Sequence, residues 1–331
     1  MKRYMISAFT AGLLLAVISC KTGNNSKVKD TAAEHVIVPE FNADSAYRHI
    51  QAQVDFGPRI PNTQAHVECG GYLANMLEKY GAKVTNQYAD LLAFNGTILK
   101  ARNIIGSYNP ENKRRILLFA HWDTRPWSDN DPDKKNHHTP VLGANDGASG
   151  AGVLLEIARL IGGQAPALGI DIIFFDAEDY GAPRFYNGEH KEEYWCLGSQ
   201  YWARNPHVAG YNARFGILLD MAGGKNATFY RELYSEKYAG SINRKVWGKA
   251  KELGYGAFFT DEKGAMITDD HLFVNKIARI PSIDIIPNMV DAERSSFGDF
   301  WHTVNDDMSG IDKNTLKAVG QTVLAVIYNE K

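Results

Sequence analysis

The sequence predicts an α/β fold, a three-layer sandwich in which helices flank a mixed, largely parallel central sheet. From residue 41 onward, short runs rich in β-branched and aromatic residues alternate with helical patterns. A helical segment lies between two of these runs and further strands follow it, which favours a largely parallel sheet. The 331 residues, 44% of them hydrophobic, contain no low-complexity block, so one large domain over residues 41–331 is expected.

The first twenty residues have the pattern of a bacterial secretion signal. Lys2 and Arg3 precede an apolar stretch too short for a comfortable membrane span, and small residues follow before Cys20. Because VISC resembles the lipobox, we expect residues 1–19 to be removed as a lipoprotein signal peptide and Cys20 to be lipidated. Ordinary signal cleavage nearby is the alternative. Residues 20–40 are then a flexible tether, and the domain is a periplasmic, membrane-anchored one.

One helix and four strands of the domain stand out. The helix pattern GYLANMLEKYGA ends at Gly81 and has an apolar face made of Tyr72, Leu73, Met76, Leu77 and Tyr80. The four strand patterns are RRILLFAHW, IDIIFFDAED, FGILLDMAG and IPSIDIIP. Between the first two lies GASGAGVLLEIARLIGG, a predicted helix that starts on small residues and ends on glycines.

Charge and cysteine usage exclude some classes of function. The formal charge is −2, and no basic stripe is interleaved with aromatic residues, so a nucleic-acid partner is not expected. Cys69 and Cys196 remain after signal removal, and neither has a second Cys or a His at metal-ligand spacing. We expect two buried free thiols, with a disulfide between them as the alternative.

Polar residues follow three of the predicted strands directly. They are His121-Trp122-Asp123, the segment Asp176 to Asp179, and Asp220. In parallel α/β sheets, ligands bind at the carboxyl ends of the strands, so a site is expected there. Asp176, Glu178 and Asp179 lie within four positions and repel one another unless protons, arginines or a metal ion neutralise them.

Three further clusters indicate whether protons, arginines or a metal ion neutralise these carboxylates. GANDGASG places Asp146 in a glycine-rich turn before a helix, ITDDHLF contains Asp269, Asp270 and His271, and DFWHTVND contains His302. Each cluster alone has an ordinary structural explanation, such as a hydrogen-bonded histidine or a helix cap. Together they form an oxygen-rich set with imidazoles, which suits zinc with an open coordination position. Thiolates are absent from these motifs, so a closed structural zinc site is not expected.

Six motifs, taken in their order along the chain, resemble those of the zinc aminopeptidase superfamily. They are HWD, GANDGASG, FFDAED, LLDMAG, DDH and WHT. Within it, the chain resembles the glutaminyl cyclases, the animal-type (type II) glutaminyl-peptide cyclotransferases, which convert N-terminal glutamine into pyroglutamate. The resemblance covers roughly residues 40–331, the predicted catalytic domain, and extends to HWDTRPW and FFDAEDYG of cyclases from Bacteroidetes-type bacteria. It implies one zinc ion per chain and peptides or proteins with N-terminal Gln as substrates.

The resemblance also implies roles for individual residues. The zinc ligands are Asp146, Asp179 and His302, and Glu178 is the general acid/base. Asp179 stands where many relatives have Glu. Its side chain is one methylene shorter, so the metal or the backbone is expected to lie in a slightly different position. Asp176 is expected to support the strand end by accepting hydrogen bonds from backbone or from a ligand histidine.

Further residues are expected to complete the site. Asp220 and Asp269 match a pair that shares a proton beside the zinc in the cyclases. Four aromatic residues are candidates for a pocket wall that excludes water. They are Trp301 and Phe297 near His302, Trp127 near the HWD turn, and Tyr186 in the insertion after the carboxylates.

Two other functions remain open. In a two-zinc aminopeptidase of the same superfamily, His121 and Asp220 would bind a second metal, with Asp146 as the bridge. The insertion YGAPRFYNGEHKEEYW before CLGS and the Trp before His302 favour a cyclase. A non-catalytic peptide-binding lipoprotein is the remote alternative, and Glu178 together with all three ligands argues against it.

Overall fold

The structure, a computed structural model, describes residues 36–289 and 293–331. The predicted signal peptide and Cys20 lie outside the described residues. The last residues of the predicted tether lie within them and contact the domain. The carbonyl oxygens of Ile37 and Pro39 accept hydrogen bonds from Gln164 Nε2 at 2.7 Å and Gln321 Nε2 at 3.1 Å. The folded part of the chain therefore begins before residue 41.

The core of the fold is a six-stranded mixed sheet with the order β1-β2-β4-β3-β5-β8. Its strands are β1 Lys83–Leu92, β2 Ile98–Tyr108, β3 Arg115–His121, β4 Gly169–Phe175, β5 Gly216–Leu219 and β8 Ser282–Ile285. The four strands β4, β3, β5 and β8 run parallel, whereas β1 and β2 pair antiparallel and β2 joins β4 antiparallel. A separate parallel pair consists of β6 Phe229–Arg231 and β7 Phe259–Lys263.

Seven α-helices accompany the strands within the described residues. They are α1 Ala43–Val54, α2 Gln64–Lys79, α3 Ala148–Gly163, α4 Leu197–Arg204, α5 Leu233–Glu252, α6 Asp270–Phe273 and α7 Lys313–Asn329. Helix α2 begins where the Thr63 side chain accepts a hydrogen bond from the His66 amide. It ends just before Gly81, whose φ of 86° is in the left-handed region. The end predicted from the sequence is thus confirmed.

The sheet separates two helical layers, because alternate residues of its strands point to opposite faces. On β3, Ile116 and Leu118 pack in a large core with residues of α1, α2, α3, α5 and α7. Leu117 and Phe119 pack instead with Trp202 of α4 on the other face. The three-layer α/β sandwich predicted from the sequence is confirmed. In the described part of the chain, no helix combines the length and apolar character needed to cross a membrane.

Close packing brings the starts of two helices to the strand ends. A Cβ added at Gly150 of α3 would overlap the carbonyl oxygen of Leu219, the last residue of β5. A Cβ added at Gly198 of α4 would overlap the carbonyl oxygen of Asp176, just after β4. Glycine at these positions lets both helices begin directly beside the carboxyl edge of the parallel strands.

Both described cysteines, Cys69 and Cys196, are buried and free. The expectation of two buried thiols is confirmed.

Candidate active site

Asp146, Asp179 and His302 come from three distant segments and meet beside the carboxyl ends of the parallel strands. Their ligand atoms all lie within 4.8 Å of one another, and all three residues are buried. His302 Nε2 lies 3.3 Å from Asp179 Oδ1 and 3.6 Å from Asp146 Oδ2. The structure therefore brings together the three residues expected to bind zinc.

The side chain of Asp306 fixes the turn that carries Asp146. Asp306 accepts hydrogen bonds from the backbone amides of Asn145 at 2.8 Å and Asp146 at 2.9 Å. Gly147, with a φ of 99°, then leads directly into α3. Because a non-glycine residue rarely adopts such a φ, glycine lets the chain enter the helix immediately after Asp146.

The loop after β4 carries Glu178 and Asp179. Asp123, which follows β3, accepts hydrogen bonds from both of their backbone amides, at 3.0 and 3.2 Å. Ala177, with a φ of 51°, turns the chain at this point. Strands β3 and β4 are parallel neighbours with His121 opposite Phe175, so Asp123 lies directly beside the loop that it holds.

The imidazole of His302 is in the form that a metal requires. Burial and the nearby charge of Arg125 lower the pKa of His302 to about 3, so its ring is neutral. A neutral ring has one nitrogen with a free lone pair, and Nε2 faces both aspartates. The ring is stacked against Trp301, with 3.7 Å between ring centroids.

The donor set fits a zinc ion. Asp146 Oδ2 and Asp179 Oδ2 are buried and have no hydrogen-bond partner among residues 36–289 and 293–331. Burial raises the pKa of Asp179 to about 7 despite the opposing charge of Arg125, because the carboxylate is removed from water. Two carboxylates and one neutral imidazole are ligands that zinc accepts with a coordination position left open.

Glu178 lies beside this cluster without belonging to it. Its Oε1 accepts a hydrogen bond from the thiol of Cys196 at 3.2 Å, and its Oε2 is 4.0 Å from His121 Nδ1. Burial raises the pKa of Glu178 well above its usual range. The charge of His121 acts to lower this pKa, whereas repulsion from Asp179 and Asp269 raises it further. A carboxyl group with a raised pKa can exchange a proton near neutral pH.

Asp220 and Asp269 both face the same cavity as Glu178. Burial raises the pKa of Asp220 to about 6, although its contact with His121 Nε2 at 3.1 Å acts in the opposite direction. Burial and the charge of Asp220 raise the pKa of Asp269 to about 7. Both pKa values are thus raised, so both carboxyl groups take up a proton more readily than exposed aspartates do.

A cavity of about 150 Å³ adjoins the proposed ligands and Glu178. Among the aromatic residues expected to form its wall, Trp301 and Phe297 do line it. Trp195 lines it as well, and its ring is stacked parallel to that of His302 at a centroid distance of 6.2 Å. Sequence reasoning missed Trp195, although the residue ends the insertion that separates the carboxylates from α4.

The structure does not place Trp127 and Tyr186 in this cavity. Both line a separate apolar cavity of about 500 Å³. There they contact the ring of Phe94, with centroid distances of 5.8 Å to Trp127 and 4.8 Å to Tyr186. Phe94 comes from the turn between β1 and β2, which the sequence patterns did not reveal, so the ring that draws both residues away could not be foreseen.

Asp176 supports the end of β4 from inside the protein. Its Oδ2 accepts a hydrogen bond from the backbone amide of Arg102 at 2.6 Å and lies 2.8 Å from His66 Nε2. The expected backbone hydrogen bond is present. The histidine that contacts Asp176 is His66, which stacks on Trp122. It is not one of the proposed zinc ligands, so the expected contact with a ligand histidine is replaced by this one.

Comparison with known proteins identifies the family. Residues 103–327, more than half of the chain, match Peptidase family M28, and the chain belongs to that family. A glutaminyl cyclase of Bacteroides thetaiotaomicron, solved with bound N-acetylhistamine, is 70% identical with a TM-score of 0.87, and the match covers 89% of this chain and 100% of that one. A leucine aminopeptidase precursor structure from Bacteroides thetaiotaomicron matches with the same identity, coverage and TM-score.

A curated animal relative extends the comparison. Glutaminyl-peptide cyclotransferase of Bos taurus is 27% identical over 249 residues, and the match covers 65% of this chain. The match spans 62% of the bovine protein's own length. These findings confirm the resemblance to the glutaminyl cyclases and to the wider zinc aminopeptidase superfamily that the motifs indicated.

Proposed function

We propose that the protein is a glutaminyl cyclase, which converts the N-terminal glutamine of peptides and proteins into pyroglutamate and releases ammonia. The observation that carries this proposal is the small cavity in which Glu178 faces the cluster of Asp146, Asp179 and His302. Similarity to solved glutaminyl cyclases supports the same reaction.

Asp146, Asp179 and His302 would hold one zinc ion per chain. Zinc at an open site supplies a Lewis acid that polarises the γ-carbonyl group of the substrate glutamine. The cavity volume of about 150 Å³ suits one amino-acid side chain rather than a folded peptide segment. The rest of the substrate would then extend outward.

Glu178 would move the one proton that the reaction needs. It takes a proton from the α-amino group, whose nitrogen then forms a bond to Cδ, the carbonyl carbon of the side-chain amide. As the bond from that carbon to the amide nitrogen breaks, Glu178 gives the proton to the leaving ammonia. No water is consumed. The raised pKa of Glu178 suits a group that must both accept and release a proton.

Neighbouring residues would orient the substrate and exclude water. Asp220 and Asp269 face the cavity and can accept a hydrogen bond from the α-amino group. Trp195, Phe297 and Trp301 provide apolar walls. Excluding water matters because hydrolysis of the same amide to glutamate would compete with cyclisation.

A two-zinc aminopeptidase is the second candidate. His121, Asp146 and Asp220 form another possible metal cluster, and an aminopeptidase precursor is among the similar structures. In that cluster, His121 Nε2 lies 3.1 Å from both Asp146 Oδ1 and Asp220 Oδ1. The insertion that ends at Trp195 and the tryptophan before His302 favour the cyclase, and both tryptophans line the cavity.

One experiment distinguishes the two reactions. The purified chain is analysed for zinc content and incubated with Gln-Ala and Leu-Ala dipeptides, with mass spectrometry of the products. We expect one zinc per chain, loss of about 17 daltons from Gln-Ala, and intact Leu-Ala, since leucine has no γ-carbonyl group to polarise. Release of free leucine at a comparable rate, with two zinc ions per chain, would establish the aminopeptidase instead.

We also propose that the chain is a periplasmic lipoprotein anchored to a membrane through Cys20. The signal pattern of residues 1–20 supports this proposal. The substrates would then be exported proteins with N-terminal glutamine.

A further inference from the structure

We propose that a buried ion pair, Arg125 with Asp129, positions two of the three zinc ligands: Arg125 fixes the carboxylate of Asp179, and Asp129 orients the ring of His302. This inference rests on the metal site of the proposed function. It assigns to the pair a positioning role, since neither residue lines the reaction cavity.

Arg125 reaches Asp179 with one arm of its guanidinium group. Nη1 donates to Asp179 Oδ1 at 3.2 Å and to the Asp179 carbonyl oxygen at 3.1 Å. Oδ1 of the carboxylate is therefore engaged by the arginine, while Oδ2 has no hydrogen-bond partner in the described part of the chain. Asp179 is thus held by both its side chain and its backbone, with one oxygen left for a cation.

The other arm of Arg125 binds Asp129. Nε donates to Asp129 Oδ1 at 2.7 Å and Nη2 donates to Asp129 Oδ2 at 2.8 Å, a bidentate arrangement. Both side chains are almost fully buried, so this bidentate pair is held away from water.

Asp129 in turn faces the third ligand. Its Oδ1 lies 3.6 Å from His302 Nδ1, while Nε2 of the same ring faces Asp146 and Asp179. Histidine ligands commonly direct their second ring N–H toward a carboxylate, which fixes the tautomer and the ring orientation. Asp129 is placed for that role, so one ion pair contacts two ligands from different parts of the chain.

Two indole rings hold the arginine in place. The guanidinium carbon lies 4.7 Å from the ring centroid of Trp195 and 5.7 Å from that of Trp127. Trp195 also lines the reaction cavity, so Arg125 connects the cavity wall to a zinc ligand. Lysine would keep the charge but lose the planar fork that binds Asp129 and Asp179 in fixed directions.

The test uses Arg125→Lys and Asp129→Asn in the full chain. The dissociation constant for zinc is measured by competition with a chelating dye, and the visible spectrum of the cobalt-substituted protein reports ligand geometry. We expect each variant to bind zinc about 10- to 100-fold more weakly, as for other partners of metal ligands, and to change the cobalt spectrum. Asp129→Asn preserves the side-chain shape and serves as the test if Arg125→Lys does not fold.

Arg115→Lys is the matched control. Arg115 is also a buried arginine with a bidentate aspartate partner, Asp171, at 2.6 and 2.7 Å. It begins β3, whereas the site lies at the other end of that strand. We expect its zinc affinity to stay within about twofold of the parent. If Arg125→Lys and Asp129→Asn also keep the parent's affinity and cobalt spectrum, the positioning role is wrong. If the parent chain itself binds no zinc, the proposed metal site fails as well.

Discussion

Asp123, which follows β3, fixes the backbone of Glu178, because its Oδ1 accepts a hydrogen bond from the Glu178 amide at 3.0 Å. Its Oδ2 does the same for Asp179. The two side chains nevertheless diverge: that of Glu178 contacts Cys196, and that of Asp179 contacts Arg125. One loop thus presents the proposed proton carrier and a proposed metal ligand side by side, and substitutions can separate their roles.

Glu178→Gln should abolish proton transfer while leaving the metal site intact. Glutamine keeps the size of the side chain but cannot accept the proton. We expect full zinc content and a turnover number lower by about a hundred- to ten-thousand-fold, with little change in KM. Steady-state kinetics and elemental analysis of the same preparation measure both. Turnover close to that of the parent would remove Glu178 from the mechanism.

His302→Ala should remove zinc and activity together. An open catalytic site has three protein ligands, and the loss of one leaves two buried aspartates without their imidazole partner. Elemental analysis and the ammonia-release assay test this expectation. A variant with a full zinc complement and normal turnover would contradict the ligand assignment.

Gly150→Ala should destabilise the fold at the site. The added methyl group overlaps the carbonyl oxygen of Leu219, so α3 must shift, at a cost of about 1–3 kcal/mol or more in the free energy of unfolding. Gly163→Ala, in the same helix, is the control, because its added Cβ meets no atom of the described residues within 4 Å. That change should be neutral or stabilising by up to about 1 kcal/mol. Urea denaturation of both variants measures the difference.

His49 should make stability depend on pH below neutrality. Burial lowers the pKa of His49 to about 4, so the folded chain keeps the ring neutral while the unfolded chain protonates it near 6.5. The contribution of the neutral His49 ring to the free energy of unfolding is complete above pH 6.5. It is lost as the pH falls toward 4, and the loss is at most about 3 kcal/mol. His49→Gln should flatten this part of the profile in urea denaturation at several pH values. If parent and variant lose stability in parallel as the pH falls, His49 is not the cause of this pH dependence.

Cys20→Ala tests the proposed lipid anchor. Without the thiol, the chain cannot be acylated and should appear as soluble or uncleaved protein after cell fractionation. Membrane attachment equal to that of the parent would count against the lipobox interpretation.

The parallel strands could be predicted because the sheet buries them on both faces, which leaves continuous apolar runs such as the one that ends at Phe175. The hairpin of β1 and β2 was missed because every second residue of β1 is exposed, so its sequence is largely polar. The proposed ligands Asp146, Asp179 and His302 were assigned from the resemblance of the motifs that contain them, and not from the pattern of helices and strands.

Contacts between distant segments were harder to foresee. Arg125 and Trp195 contact the site through the folding of loops, and no periodicity in the sequence marks such contacts. Trp127 was misplaced because closeness to the HWD motif along the chain does not fix the direction of its ring. Adjacency along the chain located Trp301 correctly, since its ring stacks directly on that of His302.

The wide spacing of Asp146, Asp179 and His302 along the chain has a consequence for metallation. An unfolded or partly synthesised chain holds these side chains far apart and offers no preformed chelate, so the proposed zinc ion would bind tightly only once the sheet is complete. The compartment in which folding finishes therefore determines which metal pool loads the protein. Zinc affinity and folding free energy would then be coupled, so removal of the metal would lower the stability of the fold.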